Sequence, residues 1–266
     1  MHKAHYHKSN IEGIEVVEIC SDRTFPRHTH DEFGLGYIIS GGQESWSGRG
    51  LVEASVNNVI TVNSGEVHDG IGITGKPRHW KMLFIKPEKL ANLTERSASS
   101  LEFDNPVINR STSNTLLKSA LEIITQPDVS RDEREQRIML ALSMLLDDES
   151  PEETVTPNKK SNMVTLLLEL IQDNWDTSLS LDDMARTVNL SRYQTLRHFQ
   201  NQMSMTPYAW LTQYRVKQAK KRLERGHSLV STALECGFAD QSHMTRAFKQ
   251  QFGISPGRLS RYHPKI

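Results

Sequence analysis

Between Glu12 and Lys86 the apolar residues come in short runs rich in β-branched and aromatic types. Ile14-Glu15-Val16-Val17-Glu18-Ile19, Phe33–Ile39, Val59–Val62 and Trp80–Ile85 have the length and texture of strands. Turn residues separate them at Gly41-Gly42, Gly48-Arg49-Gly50, Ser64-Gly65 and Gly70–Gly75. Close-spaced short strands of this kind predict a sandwich or small barrel. After Thr112 the period lengthens. Leu116, Leu117, Leu121 and Ile124 recur at helical spacing up to Gln126-Pro127, and Ile138, Leu142, Leu145 and Leu146 do so within Arg131–Leu146. Asp132 and Glu133 suit the positive end of that second helix. An apolar stripe on each helix predicts packing against the parent domain. Residues 147–160 are acidic, carry two prolines and lack apolar periodicity, the composition of a linker. A helical stripe resumes over Asn162–Asn174, with Met163, Leu166, Leu167, Leu170 and Ile171 predicted inward.

The last part of the chain repeats itself. Ser191-Arg192-Tyr193-Gln194-Thr195-Leu196-Arg197-His198-Phe199 and Asp240-Gln241-Ser242-His243-Met244-Thr245-Arg246-Ala247-Phe248 stand 49 residues apart, and Gln202 and Pro207 fall on Gln251 and Pro256 at the same offset. Ser191 and Asp240 are good N-caps, each offering an oxygen to the free amides of a helix start. A shorter helix precedes each copy. Leu181–Val188 follows Ser180, with Asp183 placed for a capping box, and Leu229–Cys236 is its counterpart. Asn189 and Gly237, in the two turns, tolerate the left-handed conformation that ends a helix, while Ala185 and Ala233 let the paired helices cross closely. Helix, tight turn and helix present the second helix to a DNA major groove. Between the copies, Tyr208–Arg225 carries Leu211, Val216, Ala219 and Leu223 on its inner face and ends at Gly226. Its length of roughly 27 Å, at 1.5 Å per residue, suits two recognition helices in successive grooves about 34 Å apart.

These residues carry a family resemblance. Ala233-Leu234-Glu235-Cys236-Gly237-Phe238-Ala239-Asp240-Gln241-Ser242-His243, then Phe248 and Phe252-Gly253-Ile254-Ser255-Pro256, resemble the DNA-binding domain of AraC/XylS transcription regulators over about the last hundred residues. Thr195, where a large apolar residue is usual, and Leu259, where an aromatic is common, depart from the pattern. Leu196, Phe199 and Met203 in the first recognition helix, and Met244, Phe248 and Phe252 in the second, are spaced to pack inward. That leaves Arg192, Tyr193, Gln194 and Arg197, and then Gln241, Ser242, His243, Arg246 and Lys249, facing out. The resemblance implies DNA contact by this face. Arg can bond guanine bidentately and Gln adenine, although each could instead touch phosphate or solvent. Lys217, Lys220, Lys221 and Arg222 on the linking helix are expected to be solvated.

Charge supports the division of the chain. Residues 161–266 hold 14 Lys and Arg against 8 Asp and Glu, a net +6, whereas residues 1–160 hold 18 against 24, a net −6. A basic end beside an acidic one suits a polyanion on one side only. Cys20 and Cys236 make no disulfide framework and are expected as reduced thiols of a cytoplasmic protein. No apolar run approaches the roughly 20 residues that span a membrane, and no membrane partner is expected. The N-terminal histidines, His2, His5 and His7, are expected in a solvated tail.

Two clusters mark the β region. In Arg27-His28-Thr29-His30-Asp31-Glu32, a strand would point His28 and His30 to one face; the other cluster is Asn63-Ser64-Gly65-Glu66-Val67-His68-Asp69. Their order and spacing resemble the cupin barrel of the effector-binding arm of AraC-type regulators, over about residues 10–90. Three readings stay open for His28, His30 and His68: a divalent metal on three imidazoles, a metal-free pocket, and structural histidines. Metal-binding cupins add a Glu four or five residues past the second His. Gly34 and Leu35 occupy those positions, Glu32 lies only two beyond, and Asn63 replaces the motif's usual Pro, so no metal and no cofactor are expected. His28, His30, Glu32, Tyr37 and His68 are the candidate effector contacts, with Trp46 and Trp80 as possible lining.

The expected architecture is therefore mixed: a cupin-like β-barrel with two C-terminal helices over 1–146, a linker over 147–160, and an all-α domain with two helix-turn-helix motifs over 161–266. The resemblance implies a ligand-responsive, sequence-specific DNA-binding regulator, more often an activator, that is not an enzyme. Its expected partners are double-stranded promoter DNA, a small polar effector, RNA polymerase and a second copy of the chain. The alternatives are a metal-dependent cupin enzyme fused to a DNA-binding module, and a barrel that serves only as a dimerisation platform.

Overall fold

The computed structural model describes residues 2–7, 9–73, 76–94, 96–109, 111–146 and 161–262; the expected linker, 147–160, lies outside the described residues. The chain divides into two compact units, Met1–Thr154 and Val155–Ile266.

The first unit holds β1 (His2–His7), β2 (Ile14–Ser21), β3 (Phe25–His28), β4 (Phe33–Ser40), β5 (Gly42–Ser47), β6 (Gly50–Ser55), β7 (Val59–Val62), β8 (His68–Gly72), β9 (Arg78–Ile85) and β10 (Val107–Ile108). They form two antiparallel sheets, ordered β1-β2-β9-β4-β7-β10 and β3-β8-β5-β6. Three helices follow β9: α1 (Pro87–Thr94), α2 (Ser111–Ile123) and α3 (Arg131–Leu146). Strand parity assigns the two faces of the larger sheet. Val16, Leu35, Tyr37, Leu83 and Ile85 share one apolar cluster with Leu90, Leu117, Leu121, Ile138 and Leu142 of the helices. The alternate residues of β9 face the smaller sheet: Trp80 meets Phe25 edge-on at 5.7 Å and Phe84 meets His30 at 5.0 Å. The largest apolar cluster of this unit thus lies between sheet and helices, while Val17, Ile38, Trp80 and Met82 are buried on the other face of the sheet.

Gly36 shows how tightly β4 and β9 pack. A Cβ there would stand 2.6 Å from the Lys81 carbonyl oxygen and inside contact distance of Met82 Sδ. Gly36→Ala is expected to cost about 1–3 kcal/mol, the usual scale of overpacking, read as a lower urea midpoint. An unchanged midpoint would mean that the strands separate without cost.

Two expectations are corrected here, the N-terminal tail and the glycine turns. The N-terminal histidines are no solvated tail: β1 pairs with β2 from His2 opposite Ser21 to His7 opposite Val16. Ala4 is buried, and His7 Nε2 lies 3.2 Å from Glu18 Oε2. Backbone pairing at an edge needs no apolar side chains, so the run read as a tail. Gly42, Gly50, Gly70 and Gly72 lie in strands rather than turns; Gly70 and Gly72 make room for Arg78, since a Cβ on either would stand 3.2 Å from a guanidinium nitrogen. The remaining glycine of that expected turn, Gly75, lies outside the described residues.

The second unit is all helix: α4 (Asn162–Asp173), α5 (Leu181–Thr187), α6 (Arg192–Met203), α7 (Pro207–Glu224), α8 (Leu229–Glu235), α9 (Gln241–Phe252) and α10 (Pro256–Tyr262). Each cap is local chemistry. Ser180 and Asp183 close a capping box on α5, as do Ser191 and Gln194 on α6, and Asp240 accepts the His243 amide at 2.6 Å. Asn189 (φ 52°) and Gly237 (φ 69°) occupy the left-handed region in the two turns. Ser204 and Gly253, again 49 residues apart, end α6 and α9 in the same conformation.

Inner faces shift by a residue from expectation. In α6 the buried row is Thr195, Phe199 and Met203, with Leu196 half-buried. Thr195 fits because its hydroxyl donates to the Ser191 carbonyl at 2.9 Å. Phe252 is only half-buried, and Gln251 is buried beside it. In α4 the buried row is Val164, Leu167 and Ile171, and Leu166 is exposed.

Candidate nucleic-acid interface and effector site

The first turns of α6 and α9 carry the polar groups that could reach DNA. Arg192, Gln194 and Arg197 are exposed, and Tyr193 is 68% exposed. Two of these have local partners. Arg192 Nε lies 3.4 Å from Asp182 Oδ1, and Gln194 Oε1 accepts the Ser191 amide at 3.0 Å. A two-point contact from Gln194 to adenine therefore requires breaking its cap, whereas Arg197 faces solvent in the next turn. In α9, Gln241, Ser242, Arg246 and Lys249 are exposed. His243 is half-buried, with its ring edge-on to Phe238 at 5.2 Å.

Sequence reasoning missed Arg215. It is buried in α7, its Nε and Nη2 donate to the Trp175 and Thr177 carbonyls at 2.7 Å each, and a Cβ on Gly237 would stand 3.0 Å from its Cζ. One side chain thus ties the segment before the first motif to the turn of the second. Nothing in a helical stripe marks an arginine for this role. Lys220, expected in solvent, is also buried, with its Nζ 5.4 Å over the Phe252 ring and 3.7 Å from Glu224 Oε1. Arg222 pairs with Glu235 at 2.7 Å. Cys236 is fully buried, and burial pushes its thiol up to about 11, which suits packing rather than reactivity.

In the first unit, His28, His30 and His68 converge. A ring nitrogen of each lies within 4.8 Å of the others, and ring centroids are 4.3–5.2 Å apart. His28, the last residue of β3, stands opposite His68, the first of β8. The expectation of one strand for both His28 and His30 is corrected: β3 stops at His28, and His30 reaches the cluster from the loop, where its carbonyl accepts the Gly65 amide at 2.7 Å. His28 and His30 are buried and His68 half-buried. His28 Nδ1 lies 2.7 Å from the Pro26 carbonyl oxygen, and His68 Nδ1 lies 3.1 Å from that of Glu66.

The other candidates are dispersed. Glu32 is half-buried in the bend after His30 and outside the three-histidine group. Tyr37 sits on the opposite face of its sheet, in the cluster that packs on the helices, and burial raises its hydroxyl to about 12. Trp46 is half-buried on β5, with the Arg27 guanidinium 4.4 Å over its ring. Trp80 is buried between the sheets beside Arg78.

Arg78 is the strongest feature that the pattern did not disclose. It is 1% exposed, and burial pulls its guanidinium down to about 10. Nε donates to Gln43 Oε1 at 3.1 Å, Nη1 to the Arg23 carbonyl and Nη2 to the Gly70 carbonyl at 3.0 Å each. Among the described residues, no carboxylate lies within 4.0 Å of it. Gly70, whose carbonyl takes the Nη2 bond, lies two residues along β8 from His68, a backbone rise of roughly 7 Å. Gln43, Ser45 and Ser47 of β5 are buried as well, and with Arg78 and the histidines they add polar groups to a layer that also holds Phe25, Trp80 and Met82.

Comparison with known proteins agrees with both units. A helix-turn-helix domain model matches residues 184–262 and the AraC-like ligand binding domain model matches residues 13–143. The HTH-type transcriptional regulator YbfI of Bacillus subtilis is 24% identical over 83% of this chain and 81% of its own. Transcriptional activator NphR of Rhodococcus is 33% identical over 39% of this chain and 31% of its own. The structure of ToxT from Vibrio cholerae shares the fold, with a TM-score of 0.54 at 10% identity across 100% of this chain and 99% of that one. Two capped recognition helices, joined in one chain to a two-sheet ligand-binding unit, define a DNA-binding transcription regulator. The chain belongs to the AraC-type family of these regulators.

Proposed function

We propose that this regulator acts in the cytoplasm as an activator that reads promoter DNA through both recognition helices and answers to a small effector held between its two sheets. The polar lining of that space carries the effector reading. Three clustered histidines and a fully buried arginine stand there among buried apolar residues such as Trp80, Met82 and Phe25, and binding sites combine a few placed polar groups with apolar walls. His28, His30 and His68 are the contacts proposed, with Trp80 and Phe84 as walls. Arg78, buried without a carboxylate, favours an acid as the effector. ToxT has been solved with an unsaturated fatty acid bound, which fits that chemistry. Met139 and Leu140, 42% and 46% exposed on α3, support a contact with a second copy. Relatives named as activators support activation through RNA polymerase. The same relatives, regulators rather than enzymes, support a non-catalytic barrel.

A thermal-shift screen of the full chain against organic acids, sugars and amino acids tests the effector reading. A ligand present at one hundred times its dissociation constant adds about 2.7 kcal/mol of stability. We expect a hit among the acids that disappears in the His28→Ala/His68→Ala variant and changes promoter affinity in the parent. A complete screen without a hit would leave the barrel a dimerisation platform.

A further inference from the structure

We propose that His28, His30 and His68 hold a divalent first-row transition-metal ion of the zinc, cobalt or nickel class. The proposal concerns the same cluster as the effector reading but is independent of DNA binding.

The tautomers point to it. A carbonyl oxygen can only accept, so the hydrogen bonds from His28 Nδ1 to Pro26 and from His68 Nδ1 to Glu66 place a proton on each Nδ1. In the neutral ring, Nε2 is then the nitrogen with a lone pair. A backbone carbonyl behind the ligating ring is the arrangement that orients metal-binding histidines and raises their basicity. Two of the three rings are therefore set with the metal-ligating nitrogen chosen before any ion arrives.

Burial and spacing agree. The rings lie 4.3–5.2 Å apart between centroids, with His28 and His30 each 6% exposed. Zn–N bonds of roughly 2.05 Å in a tetrahedron put ligand nitrogens about 3.3 Å apart. The nitrogens here lie within 4.8 Å of one another, at the widest about 1.5 Å beyond that spacing. The supports are fixed: His28 and His68 are paired across β3 and β8, and His30 is anchored through its own carbonyl to Gly65.

The chemistry also sets what else must be there. Three neutral imidazoles leave the ion's two charges uncompensated, and Arg78, bonded to Gly70 of the strand that His68 begins, adds a third positive charge to the same layer. Three protein ligands leave at least one coordination position open, and an anion is what this local charge favours in it. That position is where an acidic effector would join the ion.

The test uses the full-length chain, stripped of metal by a chelator and titrated with Co(II), with stoichiometry measured by calorimetry and geometry read from the visible d–d bands. We expect one equivalent bound, with band intensity typical of a low-coordinate site, and displacement by Zn(II). His30→Ala and the milder His68→Gln, whose residue is only half-buried, are each expected to weaken binding by about 100-fold or more while keeping a cooperative melt. His5→Asn/His7→Asn, on the edge strand, should bind as the parent does. Two results would overturn the proposal: no stoichiometric Co(II) in the parent, or binding kept in His68→Gln and lost in the edge-strand variant, which would mark adventitious ligation. Because DNA and effector are absent throughout, failure here leaves the regulator reading intact.

Discussion

Ala233→Glu is expected to unfold the second helix-turn-helix and abolish operator binding. Ala233 is 0% exposed in α8, where the chain turns within a few residues into α9. Its carbonyl accepts the Phe238 amide at 3.0 Å to close that turn, and the α9 residues Met244 and Phe248 are likewise 0% exposed. A glutamate adds four heavy atoms to a fully buried position and takes a charge into it. Overpacking costs about 1–3 kcal/mol, and an unpaired buried charge costs more unless the group protonates. Together they take a large share of the roughly 5–15 kcal/mol that holds a domain folded. Ala185, 5% exposed at the matching place in α5, should respond similarly. Ala239 is the control: it is exposed in the turn itself, so Ala239→Glu should stay within about 0.5 kcal/mol of the parent in stability. Circular dichroism melts and gel shifts read both quantities. If Ala233→Glu melts and binds like Ala239→Glu, the helix crossing described here is wrong.

The two units differ in how much of them the sequence discloses, and the reason is where their information sits. In the helical unit the determinants are local. Ser180 with Asp183, Ser191 with Gln194, and Asp240 with the His243 amide act within three residues, and the 49-residue repeat lets each copy check the other. What escaped was tertiary: Arg215, whose partners Trp175 and Thr177 lie 38–40 residues away, and Lys220, which a wider buried stripe takes in. In the β unit the strands facing the helices were legible, because Val16, Leu35, Leu83 and Ile85 must be apolar there. The strands of the smaller sheet were not. β5 turns Gln43, Ser45 and Ser47 inward, and a strand with a polar inner face reads as loop to any rule that equates buried with apolar. The same reversal separates the site residues. His28, His30 and His68 were legible as a set through their spacing, whereas Tyr37 turned out on the helix side of its sheet. A residue in an apolar run does not reveal which of two buried faces it takes until the partner layers are known.

Arg197→Ala is expected to cost about 1–3 kcal/mol in specific promoter binding, the worth of one bidentate contact to a base. Binding to random DNA should change far less. The arginine is exposed on α6, beyond the capping box that occupies Gln194, which makes it the group in that helix best placed to read sequence without structural cost. Arg246, exposed at the offset of 49 in α9, should behave in the same way at the other half-element. The linking helix α7 has 18 residues, about 27 Å at 1.5 Å per residue. Arginines on separate recognition helices that each touch a different half-element act independently, so the double variant should lose the sum of the two single losses, about 2–6 kcal/mol. Competition gel shifts with operator and random duplex across a salt series separate the possibilities. A phosphate contact would weaken both duplexes together and lower the salt slope by about one. A loss confined to one of the two variants would mean that a single helix-turn-helix enters the groove and that the repeat serves its packing rather than its reading.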